Sequence, residues 1–260
     1  MNILMIGDIV GRSGRLIVKE LLPDLVREFQ IDLVIANGEN AAGGNGITPD
    51  LADELYTSGI DILTMGNHVW DKKEIIPYID QDNRMVRPAN YPPGTPGKGY
   101  IIFPMDANLK IAVVNLSGRV FLSNLDCPFR QADLLIEEIY PQTPFIIFDF
   151  HAEATSEKQA LGWYLDGRVT AVLGTHTHIQ TADERLLTRG TAYITDVGMT
   201  GPRDSVLGVK TDLVIKKFIS QLPVRFETAG GASQFNAVLL EVDTATGKAL
   251  SIHRIQRFLM

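Results

Sequence analysis

A set of polar side chains of metal-ligand type stands directly after short apolar runs in this sequence. Asp8 follows "LMIG", Glu39 and Asn40 fall in "NGEN" after "DLVIA", and Asn67 and His68 fall in "GNH" after "DILTM". His151 closes "FIIFDFH", and His176 and His178 fall in "GTHTH" after "AVLG". Of the 5 histidines in the chain, all but His253, in a charged stretch near the C-terminus, belong to this set. Two carboxylates such as Asp8 and Glu39 converging in a partly buried site repel, and the conflict forces a proton onto one of them. A divalent cation removes that conflict, and neutral imidazoles complete its shell without adding charge. Carboxylate, imidazole and amide donors together suit Mn, Fe or Zn better than Ca or Mg. There are more donors than one catalytic ion with an open position takes, so two ions sharing a bridging carboxylate fit better.

Each residue also has an ordinary role. A strand-end aspartate usually serves a turn or a helix cap, and a lone histidine usually sits hydrogen-bonded in a core. "HTH" is harder to dismiss, because residues two apart in extended chain point the same way. The coincidence of all these residues at successive run ends favours one shared site. In open α/β sheets the carboxyl ends of the strands form the ligand-binding edge.

The runs that must position them read as strands: Asn2–Ile6, Asp32–Ala36, Asp61–Met65, Ile111–Leu116, Phe145–Phe150, Thr170–Leu173 and Thr191–Thr195. Near-continuous apolar stretches are the pattern of strands buried on both faces. Leu16–Phe29 carries apolar residues at helical spacing, with Pro23 expected to kink or break it. Thr48 is expected to cap a helix over Pro49–Thr57, and Ser156–Leu165 and Thr211–Gln221 read as further helices. Alternating strands and helices argue for an α/β fold. Gln234–Val242 and Lys248–Phe258 alternate like antiparallel strands around the turn "DTATGK". "RPANYPPGTPGKG" reads as a connection between elements, so one domain over residues 1–260 is expected.

A net charge of −7 argues against a broad footprint for duplex nucleic acid, while bound metal would still admit a small phosphorylated substrate. The single cysteine, Cys127, precludes a disulfide within the chain and fits a reducing cytoplasm. No apolar stretch approaches the roughly 18 residues of a membrane span, and "MNILMIGDIV" lacks the basic start of a signal peptide. A cytoplasmic protein is expected, with self-association left open. The spacing of Gly7, Gly11 and Gly14 is wrong for a dinucleotide-binding G-x-G-x-x-G, and no P-loop lysine follows. Gly7 and Gly11 are expected to let the chain turn around the site and into the first helix.

"GDIVG", "GEN", "GNH", "FDFH" and "GTHTH" resemble the Asp-x-His, Gly-Asp, Gly-Asn-His and Gly-His-x-His blocks of the calcineurin-like metallophosphoesterases. More closely, the chain resembles the bacterial YmdB-type phosphodiesterases, which act on cyclic nucleotides. That likeness runs from Met1 nearly to the C-terminus and includes "IANGENAAGGNGIT", "TMGNHVWD" and "DFHAEATSEK". It implies an α/β fold of two mixed sheets in a sandwich flanked by helices. It also implies a dinuclear centre, with Fe or Mn fitting best and Zn compatible, that hydrolyses 2′,3′- or 3′,5′-cyclic nucleotides through in-line attack of a metal-bound hydroxide.

Val10 stands where the wider superfamily has the histidine of Asp-x-His, and Glu39 stands for the usual bridging aspartate. Asn40 is placed to compensate with its amide oxygen, as the YmdB-type resemblance also implies. On this reading Asp8, Glu39, Asn40 and His178 surround metal one, and Glu39, Asn67, His151 and His176 surround metal two. The allotment of His176 and His178 to individual ions is left open. His68 is the candidate general acid for the leaving ribose oxygen; a third imidazole ligand, or a hydrogen-bond donor beside the metals, is its alternative role. Asp149 has the parity to share a face with His151, and "ITDVGMTGPRDS", with Asp196, is read as a substrate-side loop. Arg203 in that loop reads as a surface residue. The same motifs also admit a phosphomonoesterase, nucleotidase or phosphoprotein phosphatase. A non-catalytic metal- or nucleotide-sensing protein is the alternative outside enzymes.

Overall fold

Alternation along the first strand sets the layering. In β1 (Asn2–Ile6), Leu4 and Ile6 pack beneath the first helices, while Ile3 and Met5 point the other way into the space between two sheets. The computed structural model describes residues 1–260. After β1 come β2 (Asp8–Ile9), α1 (Gly11–Phe29), β3 (Leu33–Asn37), α2 (Pro49–Thr57), β4 (Ile62–Thr64), α3 (Ile75–Ile79) and β5 (Met85–Val86). The middle of the chain forms β6 (Tyr100–Pro104), β7 (Lys110–Ser117), α4 (Pro128–Ile139), β8 (Ile146–His151), α5 (Thr155–Leu165) and β9 (Ala171–Thr175). Then follow β10 (Arg185–Leu186), β11 (Ala192–Ile194), β12 (Met199–Pro202), α6 (Thr211–Ser220), β13 (Ser233–Val242) and β14 (Ala249–Leu259).

The first sheet runs β2-β12-β13-β1-β3-β4-β5, with β14 along the other edge of β13; the second runs β10-β11-β9-β8-β7-β6. β1, β3, β4 and β5 are mutually parallel, as are β7, β8, β9 and β11. Leu33, Ile35, Val113, Ile147, Leu173 and Val238 fill the layer between the sheets. Ile17, Val18, Leu22 and Leu25 of α1 cover the outside of one sheet, and Ala132, Leu135, Ile136 and Leu161 of α4 and α5 cover the other. This is the expected helix–sheet–sheet–helix sandwich. Burial on both faces explains why its central strands are continuously apolar.

The elements depart from the sequence reading in instructive places. Pro23 does not break α1, which runs on through it to Phe29 because apolar residues on either side of it pack against the sheet. The helix starts at Gly11, whose φ of 59° turns the chain into it, rather than at Leu16. Thr48 precedes α2 but makes no side-chain capping bond; Pro49 in the first turn and the Thr48 carbonyl start the helix instead. Gly7 has no positive φ, and its role is clearance: a Cβ there would lie 1.9 Å from the Gly198 carbonyl oxygen. "ITDVGMTGPRDS" is not a loop throughout, since it contains β12, and Asp196 within it is fully buried. No helix is long and apolar enough to cross a membrane.

Candidate metal centre

The parallel strands of both sheets end along one edge, and register aligns their last residues. His151 lies beside Ser117 and Thr175 across β7, β8 and β9, and Asn37 lies beside Thr64 across β3 and β4. The residues one to four positions further on therefore converge. Gly66 is required for that convergence, since a Cβ would lie 2.3 Å from His151 Cδ2 and 2.4 Å from Glu39 Oε2. The glycine of "GNH" makes room for ligand-type side chains.

The convergent side chains form two groups that share Glu39. In the first, His151 Nε2 lies 3.0 Å from Glu39 Oε1, 3.1 Å from Asn67 Oδ1 and 3.0 Å from His176 Nδ1. One donor atom each from Glu39, His151 and His176 lie within 4.8 Å of one another. In the second, Asn40 Nδ2 lies 3.3 Å from Glu39 Oε1 and 3.2 Å from His178 Nε2, which is 3.8 Å from Asp8 Oδ1. That Asp8 oxygen is buried with no hydrogen-bond partner. His176 and His178 are not in extended chain: their φ values are 101° and 67°. The turn between them sends the two imidazoles to different groups rather than to one strand face.

The supporting contacts decide which nitrogen faces the centre. The Thr175 hydroxyl donates to Asp149 Oδ1 at 2.7 Å, so it accepts from His151 Nδ1 at 2.9 Å. His151 is thereby left with Nε2 toward Glu39 and Asn67. Asn37 donates to Asp149 Oδ2, and its Oδ1 accepts the Glu39 backbone N–H. His176 turns Nε2 to Glu153 at 3.0 Å, which aims Nδ1 at His151. His68 lies at the cleft mouth with Nδ1 2.8 Å from Asp71 Oδ2, and its backbone N–H donates to Glu39 Oε2 at 3.0 Å. Asn45 holds the same Asp71 oxygen at 3.1 Å. Sequence reading missed Asp71, although it stands three residues after His68 in "NHVWD", a spacing that brings side chains together in a helical turn. It also missed Glu153, two residues past His151, and Asn37, whose side-chain partners Met65, Asp149 and His151 lie far from it in the chain.

Charge is distributed unevenly over the centre. Burial pushes the Asp8 carboxyl up to about 6, against the pull of His178 and His151. Burial also opposes ionisation of Glu39, but His151 and His68 outweigh it and bring Glu39 down to about 2. Burial disfavours charge on His151 too, yet Glu39, Asp8 and Asp149 carry it up to about 9. His176 is held down near 3 by burial and by the charge on His151. Without metal, therefore, a proton on His151 neutralises Glu39, and a cation would take its place.

The residues fit a metal centre on their own chemistry. Carboxylate, imidazole and amide donors line one cleft, an unpartnered carboxylate oxygen of Asp8 is buried 3.8 Å from His178 Nε2, and the proton on His151 stands where a cation relieves the same charge. The cleft, about 260 Å³ and open to solvent, is lined by Glu39, Asn40, His68, Glu153, His176 and His178 among others. Val10 is buried against Gly201 and Gly208 and offers no donor. Arg203 stacks its guanidinium 4.4 Å over the Phe258 ring, away from these groups, and His253 is exposed on β14.

Comparison with known proteins places this geometry in context. A family model described as "YmdB-like protein" matches residues 4–255. The chain is 55% identical over 255 residues to a Bacillus subtilis protein named 2′,3′-cyclic-nucleotide 2′-phosphodiesterase, covering 98% of this chain and 96% of that one. A Mycoplasma pneumoniae crystal structure described as a novel phosphatase superposes with a TM-score of 0.95 at 35% identity, over 99% of this chain and 93% of that one. A Thermus thermophilus structure described as a hypothetical protein gives 0.93 at 42% identity, over 99% of each chain.

Proposed function

Because the chain belongs to the YmdB-like protein family, we propose that it is a metal-dependent phosphodiesterase acting on 2′,3′-cyclic nucleotides, in one catalytic domain over residues 1–260. The observation that carries this reading is the joining of two donor groups through Glu39, with His68 beside them at the mouth of the cleft. Cyclic nucleotide cleavage is what the name of the Bacillus relative describes. Cleavage of 3′,5′-cyclic nucleotides and a cytoplasmic setting belong to the same reading.

Asp8, Asn40 and His178 would hold one ion, Asn67, His151 and His176 the other, and Glu39 both. A pair of ions such as Mn or Fe, when bound, lowers the pKa of water and neutralises charge on phosphoryl oxygens. Asn40 serves this arrangement with its amide turned so that the oxygen faces the site. The chain's own residues supply orientation and a proton. Asp71 accepts from His68 Nδ1–H, which leaves Nε2 to carry the proton given to the departing ribose oxygen as water adds to phosphorus. Glu39 accepts the His68 backbone N–H and so ties the acid to the centre. Asn45 fixes Asp71 and keeps the imidazole plane in place.

The test is metal analysis of freshly purified protein together with turnover of 2′,3′- and 3′,5′-cyclic nucleotides, mononucleotides and a bis-aryl phosphodiester. About two ions per chain with metal-dependent turnover of the 2′,3′-cyclic substrates is expected; a protein without metal and without turnover overturns the reading. The description of the Mycoplasma structure as a phosphatase favours phosphomonoester hydrolysis as the second reading, and the mononucleotide arm decides between them.

A further inference from the structure

The turn that carries His176 and His178 is held from below by a buried ion pair that touches neither ligand. Lys158 enters from α5 with its side chain 1% exposed, and its ammonium donates to the Thr175 carbonyl at 2.7 Å and to Asp196 Oδ2 at 2.6 Å. The same Asp196 oxygen accepts the Thr177 backbone N–H at 3.0 Å and the Thr177 hydroxyl at 2.8 Å. Asp196 Oδ1 accepts Gly198 N–H at 2.8 Å, and the Asp196 backbone pairs with Thr181, so the carboxylate itself is fixed. The residues just before His176 and just after it are thus tied to one buried point.

We infer that Lys158 and Asp196 are positioning residues that hold the His176–Thr177–His178 turn in the conformation that receives metal, an inference that rests on the metal reading above. Histidines with φ of 101° and 67° stand in a region that side chains with a β-carbon rarely adopt. Such conformations persist only where the surroundings over-determine them, and they cluster at functional sites. The brace supplies that constraint through the Thr175 carbonyl and the backbone N–H and hydroxyl of Thr177. A buried ion pair is not in itself a strong source of stability, since apolar side chains of similar size replace such pairs at little cost. What this pair contributes that methionine cannot is direction: three hydrogen bonds on two consecutive peptide units and one hydroxyl. Glu153 then sets the His176 ring from the solvent side, so backbone and ring are fixed independently.

The experiment is calorimetric titration of chelator-stripped protein with Mn²⁺, alongside thermal unfolding of the metal-free form. Lys158→Met and Asp196→Asn are expected to unfold cooperatively and to bind Mn²⁺ about 10–100-fold more weakly, as for other partners that orient ligands. Thr177→Val keeps the backbone donor and is expected to lose less. Leu161→Ala, in the buried core of the same helix, is expected to lower the unfolding temperature while leaving Mn²⁺ affinity unchanged. Wild-type affinity in Lys158→Met or Asp196→Asn overturns the brace. So does a loss in Leu161→Ala as large as theirs, because the effect is then general destabilisation. Should Lys158→Met fail to fold, Asp196→Asn and Thr177→Val decide the matter. Failure of the unaltered protein to bind Mn²⁺ overturns the metal reading and the brace with it.

Discussion

The two donor groups differ in how far they are assembled without metal. Around His151, polar atoms already meet at 3.0–3.1 Å, and a proton between Glu39 and the imidazole satisfies the charge. Around Asp8, the contact to His178 is 3.8 Å and one carboxylate oxygen has no partner. The first group is satisfied in charge and hydrogen bonding as it stands, whereas the second carries a cost that a cation would relieve. Preorganisation is therefore concentrated on one side of Glu39 and unmet electrostatic demand on the other.

Glu39→Gln acts on both groups at once and is expected to have the largest effect, with loss of both metal and phosphodiester turnover. Retention of about two ions with full activity would remove the bridge from the comparison. Next comes His68→Ala, expected to keep metal and lower kcat by roughly two to four orders of magnitude. An unchanged kcat with normal metal content denies His68 the acid's role.

Asp8→Asn and His151→Ala test the contrast directly. The folded Asp8 carboxyl stands near 6, above its ordinary value, so its ionised form costs stability at neutral pH and the cost fades as pH falls below that value. Asp8→Asn is therefore expected to stabilise the metal-free protein by about 1–3 kcal/mol while weakening metal binding. His151→Ala is expected to destabilise the metal-free protein, because it leaves Glu39 buried without its partner. Urea unfolding at neutral pH with and without Mn²⁺ reads both signs, and equal signs for the two variants would erase the distinction.

The smallest effect is on pH dependence. His151 is raised to about 9, so the stability from its charged form is present below its ordinary value and lost as pH rises through about 9. Metal displaces that proton, so Mn²⁺ affinity is expected to rise by up to about tenfold per pH unit across the same interval. Titration in buffers of different ionisation enthalpy should show a proton released on binding; none released would mean that His151 is already neutral.

Much of this was legible in the chain. Strand-end placement picked out Asp8, Glu39, Asn40, Asn67, His68, His151, His176 and His178, because a parallel strand buried on both faces announces its end where apolar residues stop. The period of α1 and the paired C-terminal strands were equally plain. Two-residue strands such as β2 and β5 were not, because they are too short to show a period. α4 was overlooked although Ala132, Leu135, Ile136 and Ile139 carry the spacing and Pro128 opens it. Lys158 and Asp196 lie 38 positions apart and have no local pattern to link them.

What the sequence alone determined was the kind of chemistry. Donor types and their positions after apolar runs are covalent facts, and two acids converging among imidazoles call for a proton or a cation between them. Tertiary structure decided which nitrogen of each histidine faces the centre, how the "HTH" turn divides its imidazoles, and which buried groups hold it. Those outcomes depend on contacts between residues far apart in the chain, such as Thr175 with Asp149 and Asp196 with Lys158. A carboxylate placed by sequence as a substrate-side residue thus became the anchor beneath the histidines, because its neighbours in space, not in sequence, set its role.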